Sequence, residues 1–266
     1  MSERDVALVT GASAGIGREF CEQLAARGLD LIVVARDATR LAQVRSDLEI
    51  RAGIAVEIFP ADLTRDDDLG RVVDRIAREP RLFFLINNAG FGTLGTLAEA
   101  DPARQESMLR LHTLAPMRLT MAALPGLLSR RRGAVINVSS VASFIYSAGN
   151  TNYCATKAYL TTFTEGLAAE LAGTGVQAQA LCPGFTRSEF HQRMGSGADR
   201  PRFMWLRAES VVRASLRSLD RAGATICIPG LGYRMLVCLI RVLPRSLLGR
   251  FTGRRAPIVR PRSGVT

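Results

Sequence analysis

Tyr153 and Lys157 stand four residues apart in the stretch TNYCATKAYL (151–160), and Lys157 is the only lysine in a chain whose other basic side chains are all arginine. On a helix, positions i and i+4 share a face, so the phenol and the ammonium converge on one cleft. A phenol with a reference pKa near 10 is a reluctant proton carrier at neutral pH. A cation within about 4–6 Å favours the phenolate and lowers that value by roughly 1–3 units. A tyrosine tuned in this way can protonate the alkoxide formed as hydride reaches a carbonyl carbon, or deprotonate an alcohol in the reverse direction. Ser140, thirteen residues before the tyrosine, can donate a hydrogen bond to the same oxygen and polarise it. Arginine is a poor replacement for the lysine, because its rigid planar fork does not match a compact, rotatable ammonium.

Hydride must come from a carrier, and residues 10–20, TGASAGIGREF, offer it a seat. They follow the first apolar run, and Gly11, Gly15 and Gly17, with Ser13 and Ile16 between them, open the first helix. Glycines there permit a tight turn and close backbone approach, so that phosphates sit against the free N–H groups and positive dipole end of the helix. The placement suits a dinucleotide pyrophosphate. At the end of the second apolar run an acidic residue would bind a ribose 2′-hydroxyl, whereas an arginine accommodates a 2′-phosphate. VVARD places Arg36 at that point, which leads to NADP(H), with Asp37 beside it as the competing feature.

The elements that must position these residues are legible as an alternation. Short apolar runs at 6–9, 31–35, 54–59, 82–86, 134–138, 176–181 and 224–228 are separated by segments of helical period near 15–27, 38–51, 66–79, 101–130, 151–173 and 207–221. Seven strands alternating with six helices predict an α/β fold, with a seven-stranded parallel sheet flanked by helices on both faces. The strands read as continuous apolar runs, as they should when both faces are buried. A chain of 266 residues, 47% of them hydrophobic, can fill the core of one such domain. We place that domain at 1–252, including a substrate lid at about 185–206 and a helical cap at about 231–250, with a basic mobile tail at 253–266. The N-terminus shows neither a basic n-region nor a long apolar h-region, which predicts a cytoplasmic protein. The five cysteines (Cys21, Cys154, Cys182, Cys227, Cys238) are scattered and lack metal-ligand spacing, so they read as reduced thiols and no metal is expected.

Taken together, TGASAGIG (10–17), ADL (61–63), NNAG (87–90), NVSS (137–140), YCATK (153–157) and PG (183–184) stand in the order and spacing of a known family. Over nearly its whole length the chain resembles the short-chain dehydrogenase/reductases. The resemblance implies a single Rossmann-type domain, Asp62 and Leu63 near the adenine, and Asn88, Ala89 and Gly90 beside the adenosine ribose. It further implies that Ser140 and Tyr153 face the substrate, that Lys157 holds the nicotinamide ribose, and that Pro183, Gly184 and Thr186 lie near the nicotinamide. A homodimer or homotetramer is implied as well.

One position departs from the family. Where an asparagine on the fourth helix usually joins the active site, holding through its main-chain carbonyl a water that relays protons to the lysine, LRLHTLAPMRLT presents His112. Pro116 lies four residues later and has no N–H to give the His112 carbonyl, which predicts a kink at that turn and a carbonyl left for a water. The imidazole itself either packs or adds a titratable catalytic group near pH 6–7.

The net charge of +11 is uneven: residues 187–266 contain 16 of the 35 basic side chains but only 4 of the 24 acidic ones. With only 6% aromatic residues and no recognisable nucleic-acid-binding motif, nucleic acid is not the expected partner. Phe185, Arg187, Phe190, His191, Met194 and Arg202 fall where the family places a substrate lid, and could hold an apolar group beside an anion. Further on, LGYRMLVCLIRVLPRSLLGRF is too short to span a bilayer; it reads as a cap over the pocket, a dimer contact or a peripheral membrane contact. The leading expectation is an NADP(H)-dependent carbonyl reductase or alcohol dehydrogenase acting on a hydrophobic ketone, aldehyde or alcohol. The alternatives are a 3-oxoacyl thioester reductase using coenzyme A or carrier-protein substrates, and a catalytically weak dinucleotide-binding regulator.

Overall fold

The computed structural model describes residues 4–189, 204–221 and 223–243. Phe190, His191, Met194 and Arg202 of the expected lid, residues 244–250 of the expected cap, and the 253–266 tail lie outside these residues.

Alternation along the first strand sets the layers. In β1 (Val6–Thr10), Ala7 and Val9 pack into one apolar cluster with side chains from α1 (Gly15–Ala26), α2 (Ala38–Ala52) and α7 (Ala208–Asp220). Val6 and Leu8 enter a second cluster with α3 (Asp66–Ala77), α5 (Ala115–Arg130) and α6 (Thr151–Glu170). Successive strand residues point to opposite faces, so a strand that is apolar throughout buries both.

The sheet runs in the order β3 (Val56–Pro60), β2 (Asp30–Ala35), β1, β4 (Leu82–Asn87), β5 (Ala134–Val138), β6 (Gln177–Leu181) and β9 (Ile226–Cys227), and every pairing is parallel. This is the expected seven-stranded, doubly wound Rossmann-type fold. The chain winds outward from β1 to β3 and then returns to pair β4 on the other side of β1. The crevice beyond the carboxyl ends of β1 and β4 is therefore the topological switch point where such folds bind ligands.

Three local features differ from the sequence reading. The segment 101–130 is not one helix: α4 (Pro102–Leu109) passes through a π-turn at Arg110–Leu114 before α5 begins. Across that turn the N–H of Ala115 bonds the carbonyl of Arg110, a step of five, just before Pro116, which has no N–H. The last strand is two residues rather than five, because Pro229 cannot donate to a ladder and Gly230 turns the chain at φ +87. Two short strands, β7 (Thr186–Arg187) and β8 (Leu206–Arg207), form a separate parallel pair after β6, and α8 (Leu231–Val242) follows β9.

Candidate active site

The glycine loop closes on the first strand through contacts that leave no room for side chains. A Cβ on Gly11, whose φ is +65, would lie 2.7 Å from Nδ2 of Asn88. One on Gly17 would collide with the carbonyl oxygen of Gly11. Asn88 Nδ2 donates to the carbonyls of Thr10 (2.9 Å) and Gly11 (3.3 Å), so it shapes the loop from the β4 side. Thr10, which the sequence motifs did not single out, accepts from the N–H groups of Asn88 (2.9 Å) and Ala89 (3.0 Å) and donates to Ile86. At the mouth of the loop α1 begins after Ala14, which provides no side-chain cap, and its first turn carries no acidic residue. Orphan N–H groups, the positive dipole end and a Cβ-free cradle suit a pyrophosphate.

At the end of β2, Arg36 is exposed and has no acidic partner among the described residues. Beside it the Asp37 carboxylate caps α2 by accepting from the N–H of Arg40 at 3.0 Å, and it faces the Arg40 guanidinium at 3.5 Å. Arg40 also pairs with Glu189 at 2.8 Å. Asp62 lies just past β3, where Ala61 bonds back to Ala35; its carboxylate accepts from the N–H and hydroxyl of Thr64, and Leu63 is buried.

Across the switch point α6 brings Tyr153 and Lys157 to the end of β5. Ser140 follows that strand as the cap of a short 3-10 turn, Val141–Phe144, where its Oγ accepts from the N–H of Ala142 at 3.1 Å. The Ser140 hydroxyl is also hydrogen-bonded to the Tyr153 phenol. Lys157, 5% exposed, donates from Nζ to the carbonyl of Val138 at 2.9 Å and lies 5.7 Å from the centroid of the Tyr153 ring. Ser139 binds the same turn from the strand side, its Oγ donating to the Lys157 carbonyl at 2.9 Å. The three side chains named from sequence are thus brought together.

Their electrostatics depart from the sequence argument. Burial pushes the Tyr153 phenol up to about 12, against the opposing pull of its bond with Ser140. Burial also lowers Lys157 to about 8. The ammonium faces the tyrosine ring and a carbonyl, and desolvation outweighs any depression of the phenol.

His112 sits between the two halves of the site and is 1% exposed. Its Nε2 accepts from the N–H of Phe91 at 3.1 Å, so in the neutral ring Nδ1 carries the hydrogen. That hydrogen goes to Thr156 Oγ1 at 3.0 Å, and the threonine in turn donates to the carbonyl of Tyr153 at 2.9 Å. The ring also stands edge-on to Tyr153 at 5.9 Å between centroids. Burial, then the nearby Lys157 charge, holds the imidazole well below its ordinary pKa of 6.5. In the neutral ring these two bonds clamp the Phe91 loop to α6, and Thr156 is a partner that no sequence motif pointed to.

The loop after β6 completes the arrangement. Pro183 accepts from the N–H of Val141 at 3.0 Å, and the buried Thr186 donates to the carbonyl of Gly184 at 3.0 Å. Tyr233 of α8, also missed from sequence, lies against Gly184 so closely that a Cβ there would enter its ring. Its hydroxyl accepts from the N–H of Phe185 at 3.0 Å and donates to the carbonyl of Met204 at 2.7 Å.

Residues 5–199 match the family model described as short chain dehydrogenase. Among solved structures, a short-chain dehydrogenase from Sphingobium yanoikuyae in complex with NADPH is 34% identical, with a TM-score of 0.82 over 91% of this chain and 97% of that one. A bulky-bulky ketone specific alcohol dehydrogenase from Comamonas testosteroni is 30% identical, with a TM-score of 0.79 over 92% and 97%. A very-long-chain 3-oxoacyl-CoA reductase from Phaeosphaeria nodorum is 28% identical over 95% of this chain and 73% of its own length.

Proposed function

Because the chain belongs to the short-chain dehydrogenase/reductase family, we propose that it is an NADP(H)-dependent oxidoreductase interconverting a hydrophobic ketone or aldehyde and its alcohol. The observation that carries this reading is the meeting of Ser140, Tyr153 and Lys157 at the end of β5. When bound, the nicotinamide supplies or takes up the hydride. Ser140 and Tyr153 hold the substrate oxygen, and Tyr153 passes its proton to that oxygen as negative charge develops there. A phenol near 12 is still much more acidic than an alcohol, so burial leaves this step downhill. Lys157 adds a cation beneath the ring, and its proton is replaced through water at the carbonyl of His112, to which Pro116 offers no N–H.

Arg36, which has no acidic partner among the described residues, is the residue for the 2′-phosphate of NADP(H), while Asp37 caps its helix. Gly11, Ser13, Gly15, Ile16 and Gly17 would hold the pyrophosphate, Asp62 and Leu63 the adenine side, Asn88, Ala89 and Gly90 the adenosine ribose, Lys157 the nicotinamide ribose, and Pro183, Gly184 and Thr186 the nicotinamide. The NADPH complex of the Sphingobium relative supports the choice of cofactor. The Comamonas enzyme favours a bulky ketone as substrate. The Phaeosphaeria relative, which spans 95% of this chain, favours a second reading as a 3-oxoacyl thioester reductase. We expect a homo-oligomer.

The test is a panel of bulky ketones, aldehydes and 3-oxoacyl thioesters with NADPH and NADH, run beside Tyr153→Phe. The variant should keep NADPH affinity and lose about 10²–10⁴-fold in turnover, as expected for removal of a general acid. Tight NADPH binding with no turnover anywhere on the panel would overturn the enzymatic reading in favour of a regulator.

A further inference from the structure

Helix α8 carries its apolar residues on both sides. Tyr233 and Val237 are buried against the body of the protein. On the opposite side Leu231, Met235, Leu239 and Val242 are 71%, 66%, 55% and 75% exposed, and Cys238 is exposed among them. At 100° per residue the positions 231, 235, 238, 239 and 242 form one stripe roughly 100° wide, as broad as the core-facing stripe of an ordinary amphipathic helix, but turned outward. Arg234 and Arg241, seven residues apart, run along one border of it; Arg241 lies 5.1 Å over the Phe144 ring and 3.8 Å from Glu165 of α6, while Arg234 has no acidic partner among the described residues. Leu236 adds further exposed apolar surface. A continuous stripe of this kind is not the scattered exposure normal for a soluble surface.

Charge decides what covers it. From residue 221 to the end the sequence holds nine arginines and no aspartate or glutamate. A second copy seated face to face would bring arginine against arginine, and among the described residues Glu165, 3.8 Å from Arg241, is the one acidic side chain paired with an arginine of this segment after Arg221. An anionic bilayer offers acyl chains to the stripe and phosphates to the arginines, whose aliphatic stems let the guanidinium reach the headgroups. With 12 residues the helix is about 18 Å long, too short to cross a bilayer, so it lies in the interface plane.

We infer that the outward stripe of α8 is a docking face for an anionic lipid surface. Through Tyr233 the opposite side of the same helix holds Phe185 and Met204 beside Gly184. Docking therefore turns the substrate side of the fold toward the membrane, where a hydrophobic ketone would be dissolved. That last step rests on the reductase reading; the docking does not, and its measurement needs no turnover.

The test is co-sedimentation of the full chain with phosphatidylcholine vesicles and with equal mixtures of phosphatidylcholine and phosphatidylglycerol. Binding should be confined to the anionic vesicles and weaken several-fold as salt is raised. Met235→Glu and Leu239→Glu should each lower the partition constant by about tenfold or more, since each places a charge where an apolar side chain enters the interface. Ile50→Glu, at an exposed position on α2, should leave it unchanged, and thermal unfolding should confirm that all three variants fold. A chain that stays in the supernatant with anionic vesicles overturns the inference. So do α8 variants that bind as well as the native chain, or that disrupt only a self-associated state.

Discussion

A Cβ on Gly90 would lie 2.8 Å from Nε2 of His112, the nitrogen that accepts the N–H of the next residue, Phe91. The imidazole thus fills the space that a side chain after β4 would need, and holds the loop to α6 through Thr156. The glycine after β4 and the histidine packed against it are one packing decision.

Gly90→Ala should accordingly destabilise the protein by about 1–3 kcal/mol, the usual cost of overpacking a fixed neighbour. In a His112→Ala background the same change should cost less than about 1 kcal/mol. Denaturant unfolding of the four proteins in this cycle measures the coupling.

The imidazole must be neutral to accept from Phe91, and its pKa lies well below 6.5 in the folded protein. A depressed pKa contributes stability that is present above the unfolded value and is lost as pH falls below it. The melting temperature should therefore fall on acidification from pH 6.5, at up to about 1.4 kcal/mol per pH unit from this group. His112→Asn should flatten that dependence and leave the pH–rate profile between 6 and 8 without a lost inflection. An inflection near 6.5 that disappears in the variant would restore a titrating role.

Lys157, lowered by burial from 10.5 to about 8, stays largely charged at pH 7, and the folded state carries the desolvation of that charge. Its contribution is favourable only above 10.5 and is lost as pH falls through 8. Lys157→Met should abolish turnover yet raise stability at pH 7 by up to about 3 kcal/mol, less the cost of the orphaned Val138 carbonyl. The gain should shrink as pH rises from 8 toward 10.5, which thermal melts across that range would show. An equal loss of stability at all pH values would mean that the Val138 bond dominates.

Arg36→Ala should raise the KM for NADPH by roughly 10–100-fold, the loss of a charge-assisted contact to phosphate, while leaving NADH kinetics nearly unchanged. Steady-state kinetics with both cofactors reads this out. Equal effects on the two would remove Arg36 from the 2′-phosphate.

The fold could be read from the chain because its signals are local. Apolar runs of strand length, helical periods between them and glycines at the turn each constrain their own neighbourhood, and a parallel sheet is the arrangement that satisfies all of them. The spacing of Tyr153 and Lys157 likewise fixes a shared helix face without reference to the rest of the molecule. Pro116 announced an irregular turn in the same way, though only the structure shows that the helix answers with a π-turn rather than a simple kink.

What the tertiary structure decided is everything that depends on who stands opposite whom. That the Asp37 carboxylate beside Arg36 caps α2 is visible only in the fold. Thr10, Thr156 and Tyr233 are ordinary residues in sequence, and they matter because hydrogen bonds from distant segments converge on them. The pKa values belong here too. Spacing brings an ammonium near a phenol, but only packing reveals that both are desolvated, and burial then pushes the tyrosine up to about 12 and the lysine down to about 8. Residue type and spacing determine which groups can meet; the dielectric around them, which decides the protonation state they meet in, exists only once the core has closed.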